Sequence, residues 1–269
     1  MPEMPEVDAV ARRLRESVSG EKVISLQIFR PSLCRPQRPQ DVEEAAKSRV
    51  LETVRRRGKH LFFHLSGDVV LHAHLRMTGN IFAISDARFY SSNARAVFTF
   101  ASGRGVVFED SRALGKMQCV TGAEIAAIEK GLGWEPLEEG FTIDKFRDMA
   151  TKSAKASKIF LMDQQYVAGL GNIYVAEALF RAGIDPRKSL KNVSATRLSR
   201  LFEAIRSVMR EAVESVYSAY QQPGTFSEGE IFPVKVYDRE GEPCITCTRP
   251  IRRIAQGGRS TYFCPKCQR

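Results

Sequence analysis

Long apolar runs are scarce in this chain of 269 residues, as are histidine, with four, and tryptophan, with one. No stretch approaches the roughly 18 consecutive apolar residues of a membrane-spanning helix, so no membrane partner is expected. Acids and arginines break up every apolar segment near the N-terminus, which leaves no hydrophobic core for a secretory signal. Before the last thirty residues the only cysteines are Cys34 and Cys119, which excludes a disulfide framework and fits small buried hydrophobes better than reactive thiols. The glycines of VAGLGN are wrongly spaced for a dinucleotide-binding turn, and no strand-crossover unit surrounds them. No internal repeat is present, and the length suffices for one large or two modest domains with cores of their own.

What the chain has in excess is basic charge. Lysine and arginine number 41 against 31 acids, a formal net charge of +10 with pI near 9.5, which favours a polyanionic partner such as nucleic acid or an anionic membrane surface. Roughly half of that excess sits from Val234 onward, where eight basic residues face three acids, so the C-terminal end reads as a contact surface. The same end carries Cys244 and Cys247 in CITC and Cys264 and Cys267 in CPKC, with sixteen residues between the pairs. Two Cys-x-x-Cys knuckles at that spacing supply the four thiolates of a tetrahedral structural zinc and leave no open position for catalysis.

From Lys22 to about Asp110 the chain reads as short strands, KVISLQIF, RVLETV, KHLFFHL, DVVLHAHL, RAVFTF and GVVFED, a density that predicts a β-sandwich or barrel. In DVVLHAHLRM, Val69, Leu71, Ala73 and Leu75 share one face, while His72, His74 and Arg76 share the other. Together with His60 and His64 these histidines read as a polar outer face of the sheet, and no metal is assigned to them. After the linker GLGWEPLEEG the texture turns helical in FTIDKFRDMA, ASKIFLMDQQ, NIYVAEALFRAG and a long segment from Ser194 to about Tyr217. In the last, Ser194 is the expected N-cap, and Leu198, Leu201, Phe202, Ile205, Val208, Met209, Val213 and Val216 form one apolar face. The predicted fold is α+β and multidomain: a β-sandwich over 1–130, a helical module over 131–222 and a zinc-clipped tail over 223–269.

Three places invite chemistry. The N-terminus, MPEMPEVDAVARRLRESVSG, predicts a helix with Pro5 at its start, Glu6 and Asp8 in its first turn, Gly20 as its stop, and Val7, Val10, Leu14 and Val18 on one buried face. Gly169 and Gly171 precede a helix that begins near Asn172, where backbone N–H groups can approach a phosphate, although a tight interhelical turn explains them equally well. Between the knuckles, PIRRIA and RSTYFC predict a hairpin turned by Gln256-Gly257-Gly258, with Arg259 just past the tip, placed to clamp a phosphate.

Taken together, PEMPEV at 2–7, RRRGKHLFFHL, HLRMTG at 74–79, LMDQQYVAGLGNIYVAEALF at 161–180, GEPCITC and STYFCPKC resemble the formamidopyrimidine-DNA glycosylase and endonuclease VIII family of base-excision repair enzymes, from end to end. The resemblance implies an N-terminal β-sandwich carrying the first helix, a C-terminal helix-two-turn-helix module, and a β-hairpin zinc finger. It also implies a bacterial, cytoplasmic, nucleoid-associated monomer that acts on double-stranded DNA containing damaged bases or abasic sites. In the family, Pro2 freed of Met1 attacks the sugar C1′ through its secondary amine. Amine nucleophiles of this kind form iminium intermediates, and an α-amino group with a reference pKa of about 7.7 to 8.0 is partly neutral near pH 7. Glu3 matches the proton-transfer residue, Lys59 a phosphate contact near the lesion, Asn172 the phosphate contact of the two-turn motif, and Arg259 the finger arginine. Glu177 is expected to orient the site from behind.

Met77 and Arg112 match residues with which the oxidised-purine branch fills the gap left by an extruded nucleotide. That branch reads Asp-Pro-Arg-Arg-Phe-Gly where this chain reads DSRALG at 110–115, so Leu114 stands in place of the aromatic wedge. Ser111 and Ala113 also replace a proline and an arginine, Arg76 stands where a small residue is usual, and the loop between Gly224 and Val234 is shorter than the one that caps 8-oxoguanine. The expected activity is a bifunctional DNA glycosylase and AP lyase with β,δ-elimination, on 8-oxoguanine and formamidopyrimidines or, alternatively, on oxidised pyrimidines, hydantoins or abasic sites. A DNA-binding zinc-finger protein that recognises damage without cutting it is the rival of another class; binding alone does not need an amine beside a carboxylate at a terminus.

Overall fold

The computed structural model describes residues 2–220 and 232–269. Among these residues the chain divides into two compact units, one of residues 2–130 with 216–220, the other of 131–215 with 232–269.

The first unit opens with helix α1 (Met4–Val18), capped by Glu3 and carrying Pro5 in its first turn. Val7, Val10, Leu14 and Val18 are all buried, as their spacing predicts. Strands β1 (Val23–Ile28), β2 (Leu51–Arg57), β3 (His60–Leu65), β4 (Val69–His74), β5 (Gly79–Ile84), β6 (Ala94–Phe100), β7 (Gly105–Asp110) and β8 (Lys116–Val120) follow, with helix α2 (Pro39–Ala46) after β1 and α3 (Gly122–Lys130) at the end. They form two antiparallel four-stranded sheets, ordered β1-β6-β7-β5 and β2-β3-β4-β8. A single core holds the apolar face of α1 together with Leu61, Phe63, Leu71 and Ala73 of one sheet and Leu26, Phe98, Val106 and Phe108 of the other. This is the predicted sandwich, with α1 seated in its core.

Four elements were not legible from the pattern. β5 opens on Gly-Asn and β8 has only five residues, KMQCV, so neither stands out as GVVFED does. In α2 only Val42 and Ala46 are buried, and in α3 no residue is, so neither offers two full turns of periodicity.

The second unit contains α4 (Ile143–Lys152), α5 (Ser157–Met162), α6 (Asn172–Ala182) and the body of α7 (Ala195–Ala219), followed by a hairpin of β9 (Arg252–Gln256) and β10 (Arg259–Phe263). α7 begins directly after Ser194, and its eight predicted face residues are all buried. The hairpin turns on Gly257 and Gly258, with φ of 55° and 72°, the two left-handed positions of a tight two-residue turn. A second small core of Ala176, Phe180, Val236, Ile251, Tyr262 and Cys264 joins α6 to the cysteine segment. The short loop expected between Gly224 and Val234 lies, up to residue 231, outside the described residues.

Candidate active site and zinc centre

Pro2 and Glu3 lie at the very start of α1, and both are buried, Glu3 to 1 % exposure. The Glu3 backbone N–H donates to the Glu6 carboxylate at 2.8 Å, and Glu6 is itself buried, so the Pro2–Glu3 peptide is fixed by a capping box. Pro2 and Glu6 open onto a cavity of about 480 Å³ lined also by Met77, Thr78, Asn80 and Tyr220. That volume suits a ligand of nucleobase size. Of the residues singled out in the sequence, Pro2 and Met77 thus share one cavity.

Lys59 sits in the two-residue turn between β2 and β3, where Gly58 takes a positive φ of 56°. Arg56, just before the turn, donates to Asp8 at 3.0 Å and so pins this hairpin to the first turns of α1. Lys59 is nearly buried, and its charge acts on His60 and His74. The histidines lie on the face of the sheet away from the core, as expected, and they are crowded there. His60 and His72 stack at 5.0 Å with ring nitrogens 2.8 Å apart, His74 meets His60 edge-on, and Phe62 beneath is fully buried under Arg55. The strand alternation placed these residues on one face but could not show how closely they pack there.

Burial, with the charges of Arg76, Arg57, Lys59 and neighbouring imidazoles, lowers His60 to about 4 and His74 to about 3; burial and Arg76 lower His72 to about 4. Each folded-state value lies below the usual 6.5, so the folded form binds fewer protons than the unfolded one. Their contribution is fully present above pH 6.5 and is lost as the pH falls toward 4. The thermal midpoint is therefore expected to drop between pH 6.5 and 4, and His72→Gln should flatten that slope. An unchanged slope in the variant would remove the histidines from the account.

Met77, Arg112 and Leu114 project into solvent from the segments after β4 and β7, with Met77 37 % and Leu114 43 % exposed. Large apolar side chains left this exposed are candidates for contact with a partner.

In the second unit, Asn172 is the first residue of α6 after the N-cap Gly171, and its Oδ1 is buried without a hydrogen-bond partner. A residue that the sequence reading passed over, Gln164, shapes the preceding loop: its amide donates to the Met162 and Leu170 carbonyls and accepts from the Gly169 N–H, each at 2.9 Å. It sits in the polar run Asp163-Gln164-Gln165, where nothing in the sequence sets it apart from its neighbours. Glu177 is 2 % exposed, and its carboxylate accepts the N–H groups of Lys235, Val236 and Tyr237, each at 2.9 Å. It thus clips α6 to the segment that leads into the cysteines.

Arg259 is exposed and opens β10 beside the glycine turn. Lys158 of α5 is wholly buried, and its ammonium donates to the Ser260 carbonyl at 2.5 Å and the Thr261 hydroxyl at 2.7 Å, strapping the hairpin to α5. A lone lysine inside ASKIFLM was the available clue. Lys158→Met should leave those acceptors buried and unpaired, at a cost of about 1 to 3 kcal/mol. Faster amide exchange from Arg259 to Phe263 would register it; unchanged exchange there would rule the strap out.

The Sγ atoms of Cys244, Cys247, Cys264 and Cys267 lie within 4.8 Å of one another, with Cys247 and Cys264 3.4 Å apart and Cys244 and Cys267 3.9 Å apart. A tetrahedron with bonds of about 2.3 Å has edges of about 3.8 Å, so the four thiolates fit one structural zinc without rearrangement. Among the described residues no helix is long and apolar enough to cross a membrane.

Three family models match the chain: the formamidopyrimidine-DNA glycosylase N-terminal domain over residues 1–117, the formamidopyrimidine-DNA glycosylase H2TH domain over 132–222, and a zinc finger found in FPG and IleRS over 241–269. Formamidopyrimidine-DNA glycosylase of Streptococcus pneumoniae is 36 % identical over 281 residues, covering 100 % of this chain and 99 % of that protein. Its namesake from Herpetosiphon aurantiacus is 35 % identical and fully covered. Among solved structures, Lactococcus lactis Fpg in complex with DNA containing an abasic site is 29 % identical with a TM-score of 0.89, and MutM in complex with carbocyclic 8-oxo-G DNA is 30 % identical with a TM-score of 0.90, each covering 99 % of both chains.

Proposed function

Because this chain belongs to the formamidopyrimidine-DNA glycosylase family, we propose that it is a bifunctional DNA glycosylase and AP lyase of base-excision repair, acting on oxidised bases such as 8-oxoguanine and formamidopyrimidines in double-stranded DNA. The observation that carries the reading is the buried Pro2 and Glu3 pair at a capped helix start, with Pro2 opening onto a cavity of about 480 Å³. Binding a damaged duplex needs no such pair; covalent chemistry does.

With Met1 removed, the neutral Pro2 nitrogen attacks the sugar C1′ of the damaged nucleotide, the C1′–base bond breaks, and the base leaves with its electron pair and takes up the proton that the Pro2 nitrogen gives up. Glu3 delivers a proton to the sugar ring oxygen as the ring opens, giving an iminium between Pro2 and C1′. The iminium acidifies the adjacent C2′–H. Loss of that proton expels the 3′ phosphate, a second elimination expels the 5′ phosphate, and water releases the enzyme. Lys59, Asn172 and Arg259 hold backbone phosphates, and Met77, Arg112 and Leu114 fill the gap in the base stack. Cys244, Cys247, Cys264 and Cys267 hold one zinc, which fixes the hairpin that presents Arg259. The segments 1–130, 131–222 and 223–269 divide these tasks as catalytic sandwich, two-turn DNA-binding module and zinc finger. The setting is the cytoplasm, at the nucleoid, and the working form is a monomer.

A panel of oxidised purines, oxidised pyrimidines, hydantoins and abasic sites, each opposite every base and reduced with borohydride, tests both reaction and substrate. The expected result is a trapped protein–DNA adduct, strongest on formamidopyrimidine and 8-oxoguanine. A stronger adduct on oxidised pyrimidines would move the protein to endonuclease VIII-like specificity, which Leu114 in place of an aromatic wedge favours. No adduct on any substrate would leave only damage recognition.

A further inference from the structure

Asp110 ends β7 and is completely buried, yet it is not part of any core cluster. One of its carboxylate oxygens accepts the Thr78 hydroxyl in a short hydrogen bond and the Arg112 N–H at 3.2 Å. The other accepts the N–H groups of Leu114 and Gly115, each at 2.7 Å. Thr78 is the neighbour of Met77, and Arg112 and Leu114 are the other two exposed side chains assigned to the gap in the stack. Its backbone joins in as well: the Asp110 carbonyl accepts Arg95 Nε at 2.7 Å.

The loop over this carboxylate needs such a hold. DSRALG has no proline to set φ at its second position, and Ala113 adopts a φ of 52°, a left-handed conformation that alanine resists. Gly115 passes so close to the Phe108 ring that an added Cβ would come within 2.6 Å of it, so the loop is also pressed onto the sheet below. Segments 77–78 and 111–115 come from different strand connections, which leave the sheet side by side where Gly79 pairs with Asp110, and the Arg112 N–H also reaches the Thr78 hydroxyl at 3.3 Å. A carboxylate bridging a hydroxyl on one and three N–H groups on the other makes them a single body.

We propose that Asp110 is the positioning residue for extrusion of the damaged nucleotide, locking Met77, Arg112 and Leu114 into one rigid wedge; this rests on the reading that those three side chains fill the gap. Leucine stacks less well than an aromatic ring, so a wedge built on Leu114 depends more heavily on being held in place. Asp110 touches neither sugar nor base and acts only through the segments it joins.

The test compares cleavage of a lesion in duplex, which requires extrusion from a stack, with cleavage of an abasic site in a single strand, which does not. Asp110→Asn places an N–H₂ where two N–H donors converge, and is expected to lower duplex kcat/KM about tenfold while single-strand cleavage stays within about twofold. Thr78→Val, which removes the hydroxyl that bridges the Asp110 carboxylate and the Arg112 N–H, should show the same pattern more weakly and keeps the test open if Asp110→Asn folds poorly. In a Met77→Ala/Leu114→Ala background, Asp110→Asn should add little, because the wedge it positions is gone. Equal losses on both substrates, or a fully additive loss in that background, would reduce Asp110 to a fold-stabilising residue and overturn the inference. A wedge-truncated protein with undiminished duplex activity would sink the wedge reading and this inference with it; a loss there with none from Asp110→Asn and Thr78→Val would sink the inference alone.

Discussion

A protein whose Pro2 nitrogen is acylated, by retained Met1 or by any residues added before it, is expected to give no borohydride-trapped adduct and to lose at least about a thousandfold of its cleavage of abasic DNA. An amide nitrogen shares its lone pair with the carbonyl and cannot attack C1′. The loss should be confined to chemistry. α1 is held by Val7, Val10, Leu14 and Val18 and by the Glu6 cap, none of which involves the Pro2 nitrogen, so duplex affinity and thermal midpoint should stay near those of the processed protein. Pro2→Gly keeps an amine but loses the ring that fixes its direction, and should fall between the two. Glu3→Gln keeps the amine and its cap position but cannot deliver a proton, for which a loss of about a hundredfold or more is expected. Mass spectrometry of the N-terminus beside single-turnover kinetics makes the comparison decisive. A blocked protein that still forms adduct would move the nucleophile to an internal amine.

Zinc removal is the second large effect. A structural zinc in a site of this kind contributes about 10 to 16 kcal/mol of apparent binding free energy, while an isolated two-stranded hairpin is marginal in water. Cys244 and Cys264 lie in the same small core as Val236, Ile251 and Tyr262, so the metal also holds together what little apolar packing the tail has. Chelation should release one zinc per chain, expose the amides of Tyr262 and Phe263 to exchange, and abolish tight duplex binding. Exchange in the sandwich strands should not change, since their core contains none of these residues. An apo form with a protected hairpin and full affinity would contradict the assignment.

How much of this was legible in the sequence depended on the range of each interaction. Periodicity read α1 and α7 almost residue by residue, because their buried faces repeat over several turns. Spacing read the cysteines, and glycine pairs read the hairpin tip. Gln164, Lys158 and Asp110 escaped because each acts through backbone groups whose positions only the fold supplies; a buried polar residue looks like a surface one until its partners are known. The histidines were assigned to the correct face, yet their packing against one another across β3 and β4 is a relation between strands, which alternation within one strand cannot report.

That crowded face has a consequence for kinetics. All four histidines of the chain are pushed below their ordinary value, so none changes charge between pH 7 and 8. Cys34 and Cys119 are shifted upward by burial, and the remaining thiolates belong to zinc. Neither the histidines nor Cys34 and Cys119 therefore account for a proton lost in the range where an α-amino group of reference pKa about 7.7 to 8.0 titrates. A rate that climbs through that range is expected from the Pro2 terminus, and pH-dependent kinetics with Pro2→Gly as the comparison test that source.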